Sequence, residues 1–473
     1  MKKNIVLIDT DLSLIKSISE SKKINVELLI TDADDKKIAE IKNLYRVNNI
    51  ITRDFFNNYL AQKEIDLDYK VIEKFRYSQL NSEHDQDRWS TDNNLKQYFY
   101  FNALFFWFSF FSNNSISAVV NNGLFHGANY DSLALDVAKY FGISGYVIDI
   151  HMERYTEEGI VSVRSVINYN KKKRIPLDIN ELNLKPIIVD DFLFSVEKIS
   201  KFLKKKRKSL KDRIKYLLPS YSSSIIHILG YVISSRLIRH HGLNTSPLIP
   251  LKNIFYVRKL RKFYDSIAVE LDTSKKSIFY ALHFEPEASI MARAKLSNQL
   301  YIIKQLSQNL PSGWILYVKE HPHQFKLYMP GWWYYLTSIY KYRTKEFYKE
   351  ILKFDNVKLL KLSMKSQDII KSTDAISTIN GSIASEAISY NKPLILFGHQ
   401  STPFGLCKDT FKITSKKQCK NAIEKIADGF IPEYSDFSEI CENYLFEHKE
   451  LAANNVQLLI EYLVFEYENP SND

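Results

Sequence analysis

The chain is short of cysteine. Its three cysteines, Cys407, Cys419 and Cys441, have neither the spacing of a metal site nor that of a disulfide framework, which points to a reducing compartment. It also lacks a long hydrophobic run: no stretch reaches the roughly 18–20 apolar residues that a membrane-spanning helix needs. The opening Met1-Lys-Lys-Asn-Ile-Val-Leu-Ile-Asp-Thr10 has too short an apolar core for a secretory signal, and Asp9 and Asp11 interrupt it. It reads instead as the first strand of a parallel sheet. A Walker phosphate loop is missing, and so is any recognised nucleic-acid-binding motif. The expectation is a cytoplasmic protein without nucleic acid as a partner.

What is present fits a globular enzyme. The 473 residues suggest two or three domains, with 45% hydrophobic and 25% charged residues. Lys+Arg number 65 and Asp+Glu 54, a formal balance of +11, which suits an anionic partner such as a nucleotide, a polyanionic polymer or a membrane surface. Apolar runs at Asn4–Ile8 and Val26–Thr31, each followed by a helical pattern, set a βαβ rhythm and predict a doubly wound parallel sheet. Tyr98–Phe111 is almost continuously aromatic; it predicts a helix buried all round or, alternatively, an interfacial segment. A strand over Ser117–Asn121 leads to a glycine-containing loop that carries His126 and Asp131 to the start of a helix over Ser132–Phe141. A further strand over Tyr146–Ile150 closes on His151, Glu153 and Arg154.

Nine basic residues crowd Lys201–Lys215, with Leu203, Leu210, Ile214 and Leu217 at helical spacing. This is a basic amphipathic insertion near 200–235, either a solvated surface helix or an attachment to anionic lipid worth roughly 1 kcal/mol per basic residue. Pro247–Pro250 reads as a linker. Domains are therefore expected at 1–250, with the acceptor side of the site, at 251–430, and as C-terminal helices over 431–473 that pack back on one of the two.

Three constellations in the second domain carry chemistry, each expected at the carboxyl end of a strand, where open α/β sheets bind ligands. The first is His283-Phe-Glu-Pro-Glu287, whose His283, Glu285 and Glu287 alternate and would share one face when extended, as acid/base work requires. The second is Lys319-Glu-His-Pro-His323. Pro322 stops the preceding strand, and Lys319, His321 and His323 bring phosphate-binding and proton-donating groups together. The third is Asn380-Gly-Ser-Ile-Ala-Ser-Glu386. Gly381 permits close backbone approach, a helix N-terminus offers free N–H groups with Ser382 and Ser385, and Glu386 would accept from two ribose hydroxyls. A basic turn, a helix start and a glutamate on converging strand ends match a nucleotide phosphate with its sugar.

Leu282–Ser289, Lys319–His323, Ile379–Ala387 and Lys392–Gly398 together resemble bacterial capsule polysaccharide biosynthesis proteins, and the His-Pro pair is similar to that of Kdo transferases and bacterial sialyltransferases. The resemblance covers roughly residues 275–400. It implies a GT-B fold: two Rossmann-like α/β domains facing a cleft. It implies a metal-independent glycosyltransferase that moves a sugar from a nucleotide-sugar donor, a CMP-sugar in preference, to a glycan or glycolipid acceptor of a capsule or lipopolysaccharide, with no cofactor, at the inner membrane face. Lys319, His321, Pro322, His323, Asn380, Gly381, Ser382, Ser385 and Glu386 would bind the donor. His283, Glu285, Glu287 and His321 would serve catalysis, with Asp131 or His126 as the base for the acceptor hydroxyl. A teichoic-acid-type polyol-phosphate transferase and a non-catalytic membrane-associated assembly component are the alternatives.

Overall fold

The computed structural model describes residues 2–8, 12–31, 35–44, 47, 49–53, 55–57, 67–87, 92–123, 126–156, 159–187, 189, 248–287, 290, 294–325, 339–449, 453–465 and 467. The basic stretch 200–235 lies outside them. The chain divides into two compact units, Met1–Gln86 with Asp92–Ile188 and Glu439–Asp473, and Asp87–Thr91 with Val189–Ser438. Residues 439–473 thus group with the first unit, whereas sequence set 431–473 apart, and Leu248–Pro250 open a helix instead of forming a linker. Proline is tolerated there because the first helical turn has no use for its missing N–H.

The first unit's strands are β1 (Lys3–Ile8), β2 (Ile24–Thr31), β3 (Asn49–Thr52), β4 (Ala118–Asn121), β5 (Ser144–Thr156), β6 (Gly159–Asn168), β7 (Lys173–Arg174) and β8 (Lys185–Pro186). The second unit's are β9 (Ser277–Ala281), β10 (Ile315–Lys319), β11 (Val357–Leu359), β12 (Ala375–Thr378), β13 (Leu394–Leu396) and β14 (Phe411–Lys412). The chain then returns to the first sheet with β15 (Phe446–Lys449).

In the first unit β3-β2-β1-β4-β5 run parallel, and β6 and β15 extend the sheet antiparallel. Ile5 through Ile8 are fully buried, as strands covered on both faces must be. On one face helix α1 (Leu12–Ser19) packs near the C-terminus of the chain. On the other lie α2 (Asn93–Asn113), which buries Tyr100, Trp107 and Phe108 but leaves Tyr98 48% exposed, so it is not buried all round, and α3 (Ser132–Tyr140). β5 does not stop at His151; it continues to Thr156 and hairpins into β6, which places residues 151–154 inside a strand and not at a strand end.

The second unit's sheet is wholly parallel, in the order β11-β10-β9-β12-β13-β14. Numbered from β9, that is 3-2-1-4-5-6, the order of the dinucleotide-binding doubly wound sheet. Both units are Rossmann-like α/β layers. Around the second sheet stand α4 (Leu248–Ile267), α5 (Gln299–Asn309), α6 (Ile339–Tyr342), α7 (Lys345–Ile351) and α8 (Ile383–Ser389). Helix α5 has Asn298 as its N-cap, whose side chain accepts the Tyr301 N–H. The C-terminal helix, α9 (Ala453–Phe465), packs back on the first unit: Ser21 Oγ donates to Glu461 at 2.6 Å, and Val456, Leu459 and Leu463 join the core beneath α1. Among the described residues no helix is long and apolar enough to cross a membrane.

Candidate active site

The second sheet reverses direction between β9 and β12, so the turns after those strands flank the crevice in which such sheets bind ligands. His283, in the turn after β9, is buried, and its Nε2 lies 3.0 Å from Thr378 Oγ1 at the end of β12. The Asn380 N–H donates to the same Nε2 at 3.4 Å, which makes Nδ1 the protonated nitrogen. Burial, and secondarily the Arg343 guanidinium, push the His283 imidazole down to about 3, so the ring is neutral at physiological pH. Gly381 belongs to this contact: a Cβ there would lie 3.0 Å from Thr378 Oγ1 and 3.2 Å from His283 Cε1.

The expectation that His283 and Glu285 share one face is not met. The Glu285–Pro286 peptide is cis, and the segment is a turn. The Glu285 carboxylate goes to the Arg343 guanidinium and accepts from Gln299 Nε2 at 2.6 Å, while the His283 ring goes to β12. Glu287 follows, half-buried, with its carbonyl accepting the Ile290 N–H.

After β10 the chain turns at Glu320 and His321 into a 3-10 segment, Pro322–Phe325. The His323 N–H donates to His321 Nδ1 at 3.2 Å, and the two rings stand edge to face with centroids 5.0 Å apart. Gln324 is fully buried and clasps the Glu285 backbone, accepting its N–H at 3.0 Å and donating to its carbonyl at 2.9 Å. Two turns far apart in sequence are thereby fastened together.

Lys319, the last residue of β10, is 95% buried by its 5% exposure, and its ammonium has no hydrogen-bond or ion-pair partner among the described residues. Burial lowers its pKa, against the pull of Glu386. Glu386, in α8, is 8% exposed, and its Oε2 is buried without a partner. Burial pushes its carboxyl up to about 7, with Lys319 opposing. The two groups feel one another's charge but form no ion pair.

Helix α8 has seven residues, and two N–H groups of its first turn are taken: Ala384 donates to the Gly381 carbonyl and Ser385 to that of Ser382, both at 3.0 Å. Ser385 is fully buried and its hydroxyl donates to the Ser382 carbonyl at 2.7 Å, so it has no proton for a phosphate. Ser382 is exposed at the N-cap and makes no side-chain cap bond. Asn380 Nδ2 donates to Ser401 Oγ at 2.9 Å, a tie to the turn after β13.

In the first unit Asp131 is fully buried. It caps the helix Ser132–Tyr140 and accepts the N–H groups of His126 at 2.7 Å, Ala128 at 2.6 Å and Ser132 at 2.5 Å. A carboxylate so enclosed caps the helix and organises its loop, a structural part that differs from the general base expected of it. Among the described residues no three His, Cys, Asp or Glu side chains gather as a metal site would.

Arg343, Gln299 and Gln324 escaped the reading of the sequence. None belongs to a motif; each is found only through the turns it joins.

No family model matches the chain, and no curated protein matches it. Solved structures that it resembles include a β-Kdo 2,7 transferase, KpsC, of Thermosulfurimonas dismutans, at 14% identity over 84% of this chain and 89% of that one, with a TM-score of 0.29. They also include the UDP-GlcNAc 2-epimerase of Methanocaldococcus jannaschii, at 11% identity over 98% and 100%, with a TM-score of 0.26. Likeness of that degree says nothing of activity, and the functional reading rests on the site.

Proposed function

We propose that the protein is a glycosyltransferase that holds a nucleotide-sugar donor at the carboxyl edge of the second sheet and passes its sugar to a growing surface polysaccharide. The observation that carries this reading is the pair Lys319 and Glu386, both more than nine-tenths buried and both without partners among the described residues. Buried charge is unfavourable unless something pairs with it. A ligand that brings a phosphate to the ammonium and hydroxyls to the carboxylate satisfies both at once. A nucleotide does so, and the tendency of doubly wound sheets to take nucleotides at their carboxyl edge supports the reading.

In this reading Lys319 neutralises the donor phosphate, and His321, whose Nδ1 accepts the His323 N–H, is the imidazole that addresses the departing phosphate oxygen. Stabilising that charge in a dry site is the largest lever available for sugar transfer. Neutral His283 shapes the crevice with Gly381 and makes no proton transfer. CMP is the nucleotide favoured, on the resemblance of the His-Pro turn.

Thermal unfolding of the full chain with CMP, CDP, UDP, GDP and their sugars tests the reading. A ligand at about 100 times its dissociation constant adds roughly 2.7 kcal/mol of stability. The expected result is stabilisation by one nucleotide class, lost in Lys319→Ala and His321→Ala. Stabilisation by CDP-glycerol or CDP-ribitol above every sugar nucleotide would instead make the protein a polyol-phosphate transferase. No stabilisation by any of them would overturn the donor site.

A further inference from the structure

We propose that Arg343 is a positioning residue for this site: its guanidinium sets the spacing between the turn after β9 and the turn after β10, and thereby where His283 and His321 meet the ligand. The inference rests on the reading of the second unit as a nucleotide-sugar site.

Arg343 is fully buried just beyond α6, far in sequence from both turns. Nε donates to Glu320 Oε2 at 2.7 Å, Nη2 to the His283 carbonyl at 2.8 Å, and Nη1 to the Glu285 carboxylate and to the Tyr342 carbonyl at 3.2 Å. The Phe347 ring, 4.4 Å from Cζ, covers one face of the guanidinium. One planar fork therefore addresses the backbone of the first turn and a carboxylate from each turn.

Those carboxylates are themselves tied to the turns. Glu320 accepts the Tyr348 hydroxyl at 2.7 Å on the oxygen that Arg343 holds, and its other oxygen accepts the backbone N–H of His321 at 2.8 Å. So the chain of bonds runs from Arg343 through Glu320 to the backbone of His321, and separately to the backbone of His283. Glu285 and Glu320 are anchors in this arrangement, which leaves neither free for the proton transfer that the alternating pattern invites.

A merely stabilising role fits less well. Exchanging a buried ionic cluster for apolar groups of similar volume is often neutral or favourable for stability. What apolar groups do not supply is the fixed geometry of a guanidinium, whose five N–H vectors are locked in a plane. Lysine carries the same charge on one rotatable ammonium and does not span three acceptors at these angles.

The test compares the full-length parent with Arg343→Lys and with the triple variant Glu285→Gln, Glu320→Gln, Arg343→Met, which leaves the cluster without buried charge. Thermal unfolding reports the fold, and calorimetric titration with CMP and UDP reports the site. The triple variant is expected to unfold cooperatively within a few degrees of the parent and to bind the parent's nucleotide at least ten-fold more weakly. Arg343→Lys is expected to lose a similar factor. In both, amide exchange at Glu285, His321 and Gln324 should quicken while β9 and β10 amides stay protected. A folded triple variant that binds as the parent does would overturn the clamp alone. If the triple variant does not fold, Arg343→Lys decides by the same two readouts, and parent-like affinity there overturns the proposal. A parent chain that binds no nucleotide would overturn the site and the clamp together.

Discussion

His283 Nε2 sits 3.0 Å from Thr378 Oγ1, a contact that spans the point where the second sheet reverses direction. It joins the turn after the first strand of that sheet to the end of the fourth. Gly381 is the neighbour that permits it, since its N–H donates to the same Thr378 oxygen at 3.3 Å and its α-carbon faces the imidazole edge.

Gly381→Ala should therefore act on the site and the fold together. A methyl group 3.0 Å from Thr378 Oγ1 and 3.2 Å from the ring has to displace one of them. Overpacking of this kind costs about 1–3 kcal/mol. Thermal unfolding should fall accordingly, and nucleotide affinity with it. A variant with unchanged affinity would mean that the His283–Thr378 contact lies apart from the ligand.

Acid stability tests the neutral imidazole. His283 titrates at about 3 in the fold against an ordinary 6.5, so below pH 6.5 the unfolded chain takes up a proton that the folded chain refuses. Stability should then decline as pH falls from 6.5 towards 3, by up to about 1.4 kcal/mol per pH unit from this group. Urea midpoints at pH 7 and pH 5 measure it. His283→Gln should flatten the difference; an equal acid slope in that variant would place the ring in contact with solvent.

Much of the second sheet is legible in the sequence. The apolar runs at Lys276–Leu282, Gly313–Lys319, Ala375–Ile379 and Pro393–Phe397 each contain the strand found there, because a strand covered on both faces must be apolar throughout. The hairpin β5–β6 is not legible, since nothing at His151 marks a stop or a continuation. Nor are the bonds that decide availability. Ser385 and Asp131 have the right chemistry for their expected roles, but both are committed to backbone groups a few residues away, as short polar side chains at helix starts commonly are. Arg343 is the converse case: a lone arginine in an aromatic stretch whose role comes wholly from long-range contacts.

Lys319 and Ser385 should separate cleanly under mutation. Lys319→Met removes a buried, unpartnered ammonium, so the free protein should gain about 1 kcal/mol in stability while nucleotide affinity drops ten-fold or more. Ser385→Ala removes one internal hydrogen bond and should lose about 1 kcal/mol of stability with affinity within two-fold of the parent. Urea unfolding and calorimetric titration of both variants read the two quantities. Loss of binding in Ser385→Ala with retention in Lys319→Met would reverse the assignment of the phosphate site.

Glu386 makes the site sensitive to pH near neutrality. Its carboxyl holds a proton up to about 7 in the fold, against an ordinary 4.5, so the folded chain binds more protons than the unfolded one across that window. The stability it contributes is complete below pH 4.5 and is lost as pH rises through 7, because the unpartnered carboxylate must then ionise in a buried place. Glu386→Gln should match the parent at pH 5 and exceed it in stability at pH 8. Binding should run the other way. To accept two hydroxyls the carboxylate must be ionised, so at pH 6 a proton has to leave before the ligand enters. A nucleotide-sugar, whose own phosphates do not titrate in this range, should bind about ten-fold more weakly at pH 6 than at pH 8. The variant should bind weakly at both, with a flat profile. A parent whose affinity is level from pH 6 to pH 8, in a protein that Glu386→Gln does stabilise at pH 8, would take the hydroxyls away from Glu386 and leave the donor to Lys319 and His321.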